Sequence, residues 1–466
     1  MTEPHDLTAL ELSSAYARRE LGVVEVITSA LERAAAETVG AFTTITADRA
    51  LAEAAHAQRR LDAGGAPLLT GVPTAIKDLE ATRGVRTTLG SAVFADWLPE
   101  VDDIIVTTLR EQGLVSIGKT TVPELGAACY TEPDTAPPSR SPFDRARSAA
   151  GSSGGAAAAV GARLVPVAQG SDTAGSLRSP ASACGVVGLK PSRGLLTGGL
   201  LGSDGLGLSS KGPIARTVRD AAALLDAMAT ARPVGTVHPA RRSGFLLACD
   251  EPVERLTVVI ADGSVSGGLV DERIAMACAS AGQVLARLGH RVQRRDQPRD
   301  AALVAGFTLM FSALAAAKPV PEGREGDLRP IVRHLRATAR AVGAGELAAS
   351  VLTVQSRAAA WAQRFEEADI VIAPTITRPP ALVGELRNDA DPAAELEAMT
   401  LFTGNTILAN ATGYPAISLP LGWTDDGLPL GVMLTARWGR DDLLLAVSAR
   451  LEHELPWHHR TPQGDR

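Results

Sequence analysis

The stretch from Ala149 to Pro180, "AAGSSGGAAAAVGARLVPVAQGSDTAGSLRSP", carries two patches of serine and glycine, "GSSGG" and "DTAGS", in the middle of an apolar chain. Their composition is that of a flexible linker, but their surroundings are not. "LVPVAQG" reads as a buried strand, and the small residues Thr173, Ala174 and Gly175 after it let backbone N–H groups converge just before Ser176. Converging amides beside a serine are what an oxyanion hole and its nucleophile require, so Ser176 is the candidate nucleophile. A serine hydroxyl needs a base within hydrogen-bond reach, and a neutral lysine serves directly or through a second hydroxyl. Ser152, in the first patch, is the candidate relay. A capped helix whose glycines permit close packing explains "GSSGGAAAAVGA" equally well.

Lysine usage points to the base. Of 46 Lys+Arg residues only five are lysines, Lys77, Lys119, Lys190, Lys211 and Lys318. Arginine stays protonated in proteins, whereas burial neutralises lysine and makes it a base. All but Lys318 fall in the interval 77–211, which also holds both patches, and Lys77 ends "GVPTAIK", an apolar strand where a charge is costly. A snorkelling lysine, or an ion pair with Asp78 or Glu80, is the structural alternative.

With 466 residues, 45% hydrophobic and 21% charged, the chain has the composition of a globular protein with a large core. No Pro/Ser-rich linker or charge run divides it. The expectation is one continuous domain over 1–466, with a helical N-terminal part (1–65), a core holding both patches (71–230), a variable substrate-side part (231–400) and a C-terminal part of the core (401–466). A net charge of −6 offers no basic surface to nucleic acid or to an anionic membrane. The expected partner is a small molecule, and a homodimer is left open. Cys129, Cys184, Cys249 and Cys278 lack CxxC or Cys/His metal spacing, which points to free thiols in a reducing compartment and to no metal. The polar N-terminus lacks a signal-peptide pattern, so a cytoplasmic location is expected. "AALVAGFTLMFSALAAA" (301–317) is too short and too diluted by small residues to span a bilayer. It reads as a buried helix whose Leu309, Met310 and Phe311 belong either to the core or to the wall of an acyl pocket.

Elsewhere short apolar runs alternate with amphipathic ones. "VPTAIK", "LVSIG", "LVPVAQ", "LTVVIAD", "DIVIAP", "PAISLP" and "LGVML" read as buried strands, and "TVRDAAALLDAM", "DERIAMACASAGQVLARLG" and "RDDLLLAVSARLEHE" as helices. The alternation predicts an α/β fold around a mixed, largely parallel sheet. "GLVSIGKT" (113–120) matches GxxxxGK[ST], but a phosphate loop needs a strand before its first glycine and a helix at its Lys-Thr; here the glycine ends an amphipathic run and Pro123 follows. Four of the eight histidines, His5, His453, His458 and His459, lie near the ends of the chain, although a spatial Ser/His/Asp triad stays open.

"AGSSGG" (150–155) and "QGSDTAGSLRSPASACGVVGLKPSRG" (169–194) resemble the signature of the amidase signature family, whose members hydrolyse amides with a Ser–cis-Ser–Lys triad. The resemblance extends to "GVPTAIKD", "GKTTVPELG", "KGPIARTVRDAAALLD", "GNTILANATGYPAISLPLG" and the C-terminal "LPLGVMLTARWGRDDLLLAVSARLE". It implies Lys77 as ultimate base, Ser152 as bridging cis-serine and Ser176 as acylated nucleophile. It further implies an oxyanion hole from the amides around Thr173, Ala174, Gly175 and Ser176, and a backbone contact to substrate from Gly126. The implied fold is a single α/β domain with a mixed, mostly parallel sheet of about eleven strands flanked by helices; the implied reaction needs no cofactor. Ala174, where many members carry glycine, and "TEP" (131–133) are similar to the 6-aminohexanoate cyclic-dimer hydrolase-like subgroup, while Met433 stands where relatives often carry glutamine. The same triad also belongs to the A component of tRNA-dependent glutamine amidotransferases. A non-catalytic scaffold that keeps the serines for packing is the reading from a different class.

Overall fold

Runs of apolar residues without polar alternation form strands covered on both faces, and each such run in the sequence is a strand in the computed structural model, which describes residues 3–196, 205–231, 239–240 and 243–462. The strands are β1 (Phe42–Ile45), β2 (Pro73–Lys77), β3 (Val115–Thr120), β4 (Arg140–Ser141), β5 (Asp144–Ser148), β6 (Val167–Asp172) and β7 (Val187–Lys190). They continue with β8 (Ser210–Ala215), β9 (Thr257–Gly263), β10 (Arg291–Gln297), β11 (Ile370–Pro374), β12 (Ala416–Trp423) and β13 (Pro429–Ala436). An eight-stranded sheet has the order β10-β9-β11-β13-β12-β7-β8-β6, a three-stranded sheet the order β1-β3-β2, and β4 pairs with β5.

The strand count and the strand directions both need correction. The two larger sheets hold eleven strands in all, but in two pieces. Between them side chains replace the main-chain ladder: Thr74 Oγ1 donates to the Val167 carbonyl at 3.1 Å, and the Lys77 amide to Gln169 Oε1 at 3.0 Å. Nor is the eight-stranded sheet mostly parallel. Only β10/β9 and β9/β11 run parallel; its remaining ladders are antiparallel. An apolar run reports that both faces of a strand are covered and carries no information on its direction. The helical N-terminal part is interrupted by β1, which pairs with β3.

The core lies on both faces of the large sheet and follows the two-residue period of its strands. Ile370 and Ile372 of β11 join one apolar cluster, with Ile417, Val432 and Leu434; Val371 and Ala373 face the other, with Val259 and Met433. The first Ser/Gly patch leads into the wholly buried helix Gly154–Gly161. A Cβ on Gly155 would stand 2.5 Å from the Thr121 amide nitrogen and 2.6 Å from the Ala41 carbonyl oxygen, so a side chain larger than hydrogen cannot fit there. The close packing of the glycines in this patch is present, but the expected cap is not, since the N-cap residue Ser153 makes no side-chain capping bond; the packing brings the serines before the helix against the end of β2.

Candidate active site

Lys77 is the last residue of β2 and fully buried. Its Nζ lies 2.9 Å from Ser152 Oγ, and it donates to Ser153 Oγ at 2.7 Å, to Ser171 Oγ at 3.0 Å and to the Ser171 carbonyl at 3.3 Å. The ion-pair alternative does not hold, because both nearby carboxylates face other lysines. Asp78 Oδ1 is 3.0 Å from Lys119 Nζ, and Glu80 pairs with Lys211. Burial among hydroxyls, opposed in part by the charge of Glu80, lowers Lys77 to about 7, where its neutral form is abundant near neutral pH. Lys119, in the sequence that mimics a phosphate loop, lies within β3 and donates to the Glu80 carbonyl at 2.9 Å and to Thr87 Oγ1 at 2.8 Å.

The two patches meet beside this lysine. The Gly151–Ser152 peptide is cis. The Ser153 amide donates to the Ser176 carbonyl at 3.2 Å, joining the first patch to the second. Gly126, with φ of +68°, sits over Ser152; a Cβ there would lie 3.5 Å from Ser152 Oγ and 2.8 Å from Leu79 Cδ1.

The loop carrying Ser176 is organised from below by Asp172, the last residue of β6. Its carboxylate accepts the Gly175 amide at 2.8 Å, the Leu177 amide at 3.2 Å and Asn410 Nδ2 at 2.9 Å, and it pairs with the fully buried Arg178 through two guanidinium nitrogens, each at 2.9 Å. Burial alone would raise the pKa of Asp172, but Arg178 and Asn410 hold it well below the ordinary carboxylate range. Gly175 is needed for its conformation: its φ is +117°, and a Cβ would stand 2.5 Å from Thr406 Oγ1. The Gly175 amide is taken by Asp172, whereas the amides of Thr173, Ala174 and Ser176 donate to no acceptor among the described residues.

Half-buried Ser176 opens into a cleft with about 670 Å³ of empty space. Gly126, Gly151 and Ala174 line it near the serine; helix Ala301–Ala317 contributes Val304, Phe307 and Phe311, and helix Pro392–Thr403 contributes Leu396 and Met399. None of the described residues that line it is charged.

The family model described as Amidase matches residues 25–445. The chain belongs to the amidase family. Among curated relatives, this amidase is 36% identical to a 6-aminohexanoate-cyclic-dimer hydrolase of Paenarthrobacter ureafaciens, with 87% of each chain covered. It is 32% identical to the A component of the glutamyl-tRNA(Gln) amidotransferase of Thioalkalivibrio sulfidiphilus, with 99% of each covered. Its fold matches the structure of 6-aminohexanoate cyclic dimer hydrolase complexed with substrate at a TM-score of 0.89 and 30% identity, covering 98% of this chain and 99% of that one. These similarities make it an amide-hydrolysing enzyme.

Sequence reasoning found the two patches and the lysine but missed the frame of this amidase's site. Asp172, Arg178 and Asn410 stood within quoted motifs, and an acid followed six residues later by an arginine in an otherwise uncharged segment was the available signal. Met433 is buried away from the cleft, its sulfur 3.2 Å from Arg178 Nη1. Of the three large residues singled out on helix Ala301–Ala317, Phe311 lines the cleft, Met310 belongs to the core and Leu309 does not line the cleft. Phe307, four residues before Phe311, was missed although helical spacing places the two on one face. No helix among the described residues is long and apolar enough to cross a membrane.

Proposed function

We propose that this amidase hydrolyses a small-molecule amide through an acyl-enzyme on Ser176, with Ser152 as relay and Lys77 as base. The observation that carries the reading is the 2.9 Å contact between Lys77 Nζ and Ser152 Oγ, inside a hydroxyl cage that offers the lysine no carboxylate partner. Neutral Lys77 takes a proton from Ser152, which takes one from Ser176 as its oxygen attacks the amide carbonyl. The amides of Thr173, Ala174 and Ser176 supply donors to the oxyanion. Run in reverse, the relay protonates the departing amine, and water then repeats the cycle on the ester. Gly126 stands close enough to Ser152 for its backbone to meet the substrate.

The experiment is labelling with a fluorophosphonate followed by peptide mass spectrometry. The adduct is expected on Ser176 and is expected to vanish in Ser176→Ala; an adduct confined to another serine overturns the assignment. Similarity to the A component of an amidotransferase over nearly the whole chain keeps one rival reading, ammonia release from glutamine for a partner enzyme. The absence of charged residues from the described lining of the cleft weighs against it.

A further inference from the structure

We infer that the cleft above Ser176 selects amides whose acyl part is uncharged, apolar and larger than acetyl, and that it excludes zwitterionic acyl donors such as glutamine. The inference rests on the reading of Ser176 as nucleophile. During an acyl transfer the amine departs after the first half-reaction, whereas the acyl part stays tethered to the serine through both halves. The walls around Ser176 therefore serve the acyl part above all.

Those walls come from two helices with the same kind of stripe. On helix Ala301–Ala317, Val304, Phe307 and Phe311 fall at helical intervals and all reach the cleft; on helix Pro392–Thr403, Leu396 and Met399 do the same. Five large apolar side chains from two helices are more wall than an acetyl methyl group can contact, so the cleft suits a larger acyl part. Much of the polar capacity of the walls is already committed. Thr400 Oγ1 donates to the Leu396 carbonyl at 2.8 Å, Thr403 Oγ1 to the Met399 carbonyl at 3.1 Å, and Ser266 Oγ is bonded to Ser264 Oγ at 2.8 Å. The Lys318 amino group, just past the end of the first helix, donates to the Leu125 carbonyl. An α-ammonium or α-carboxylate entering this cleft would lose water without gaining a charged partner, which is costly for either sign.

The test is a series of p-nitroanilides with one leaving group and acetyl, butanoyl, hexanoyl, benzoyl or γ-glutamyl acyl parts, assayed on wild type and on Phe311→Ala, with fluorophosphonate labelling of Ser176 measured alongside. The expected result is a rise in kcat/KM of at least about tenfold from acetyl to hexanoyl, and a γ-glutamyl value at least about a hundredfold below hexanoyl. Phe311→Ala should lower the hexanoyl-to-acetyl and benzoyl-to-acetyl ratios of kcat/KM about tenfold. An enzyme labelled at Ser176 yet indifferent to chain length, or fastest with γ-glutamyl, overturns the selectivity and leaves the nucleophile standing. Equal loss towards every substrate in Phe311→Ala, with a lower melting temperature, overturns it too. Failure of Ser176 to label removes the nucleophile reading itself.

Discussion

A lysine without a carboxylate is the feature on which the proposed chemistry turns. Desolvation lowers Lys77 to about 7, and the surrounding hydroxyls bond to it without adding the opposite charge that would restore protonation. The base must be neutral to act, so kcat/KM should fall as pH drops through about 7, a limb that a pH–rate profile reads directly. Lys77→Arg should not restore the activity lost in Lys77→Ala, because a guanidinium stays protonated; near-native turnover in Lys77→Arg would refute the base assignment. Beneath the serine, Asp172 and Arg178 are both fully buried and satisfy each other. Removing one partner leaves an uncompensated buried charge, so Arg178→Ala should cost about 3–5 kcal/mol in chemical denaturation. Activity should fall with it, since the same carboxylate fixes the Gly175 and Leu177 amides.

At the scale of elements, the sequence was most legible where chemistry and packing impose the same residues. "GSSGGAAAAVGA" must be small because helix Gly154–Gly161 lies against the main chain of Thr121 and Ala41, and the serines before it gather around Lys77. Gly155→Ala would press a methyl group into that contact. We expect it to destabilise the fold by about 1–3 kcal/mol or more, read from the urea midpoint, and to lower activity by displacing Ser152 and Ser153. Legibility fell where a strand lacks an apolar run. β8 reads "SKGPIA", and β10, "RVQRRDQ", lies at the edge of its sheet and carries charges suited to an edge. Helix Pro392–Thr403, a wall of the cleft, went unread despite a start signal: Asp391 caps it by accepting the Ala394 amide at 3.0 Å, and Pro392 occupies its first turn. Strand direction was not legible at all, because it is fixed by where connections return and not by the composition of the strand.

Across the whole molecule, positive charge is divided by residue type: none of the five lysines is exposed, so every exposed Lys or Arg side chain among the described residues is an arginine, although some arginines, Arg178 among them, are buried. Lys190 gives this division a measurable consequence free of catalysis. Its Nζ is buried and donates to the Pro191 carbonyl at 2.7 Å; burial first, and the nearby Arg178 charge second, lower it from 10.5 to about 7. In the unfolded chain the same lysine keeps its ordinary value. Between about pH 7 and 10.5 the unfolded state thus binds more protons at this site than the folded state does. Stability from this group must then rise with pH through that window, with a slope of up to about 1.4 kcal/mol per pH unit, whereas below pH 7 its cost is fully developed. Lys77 adds to the same slope, being likewise lowered to about 7. Lys190→Met keeps an unbranched apolar stem in place and removes the proton-linked cost. Urea unfolding of the variant should show higher stability than wild type at pH 7, with the difference shrinking steadily by about pH 9.5. Parallel stability curves for the two proteins would mean that Lys190 is charged in the folded state and that its burial carries no proton linkage.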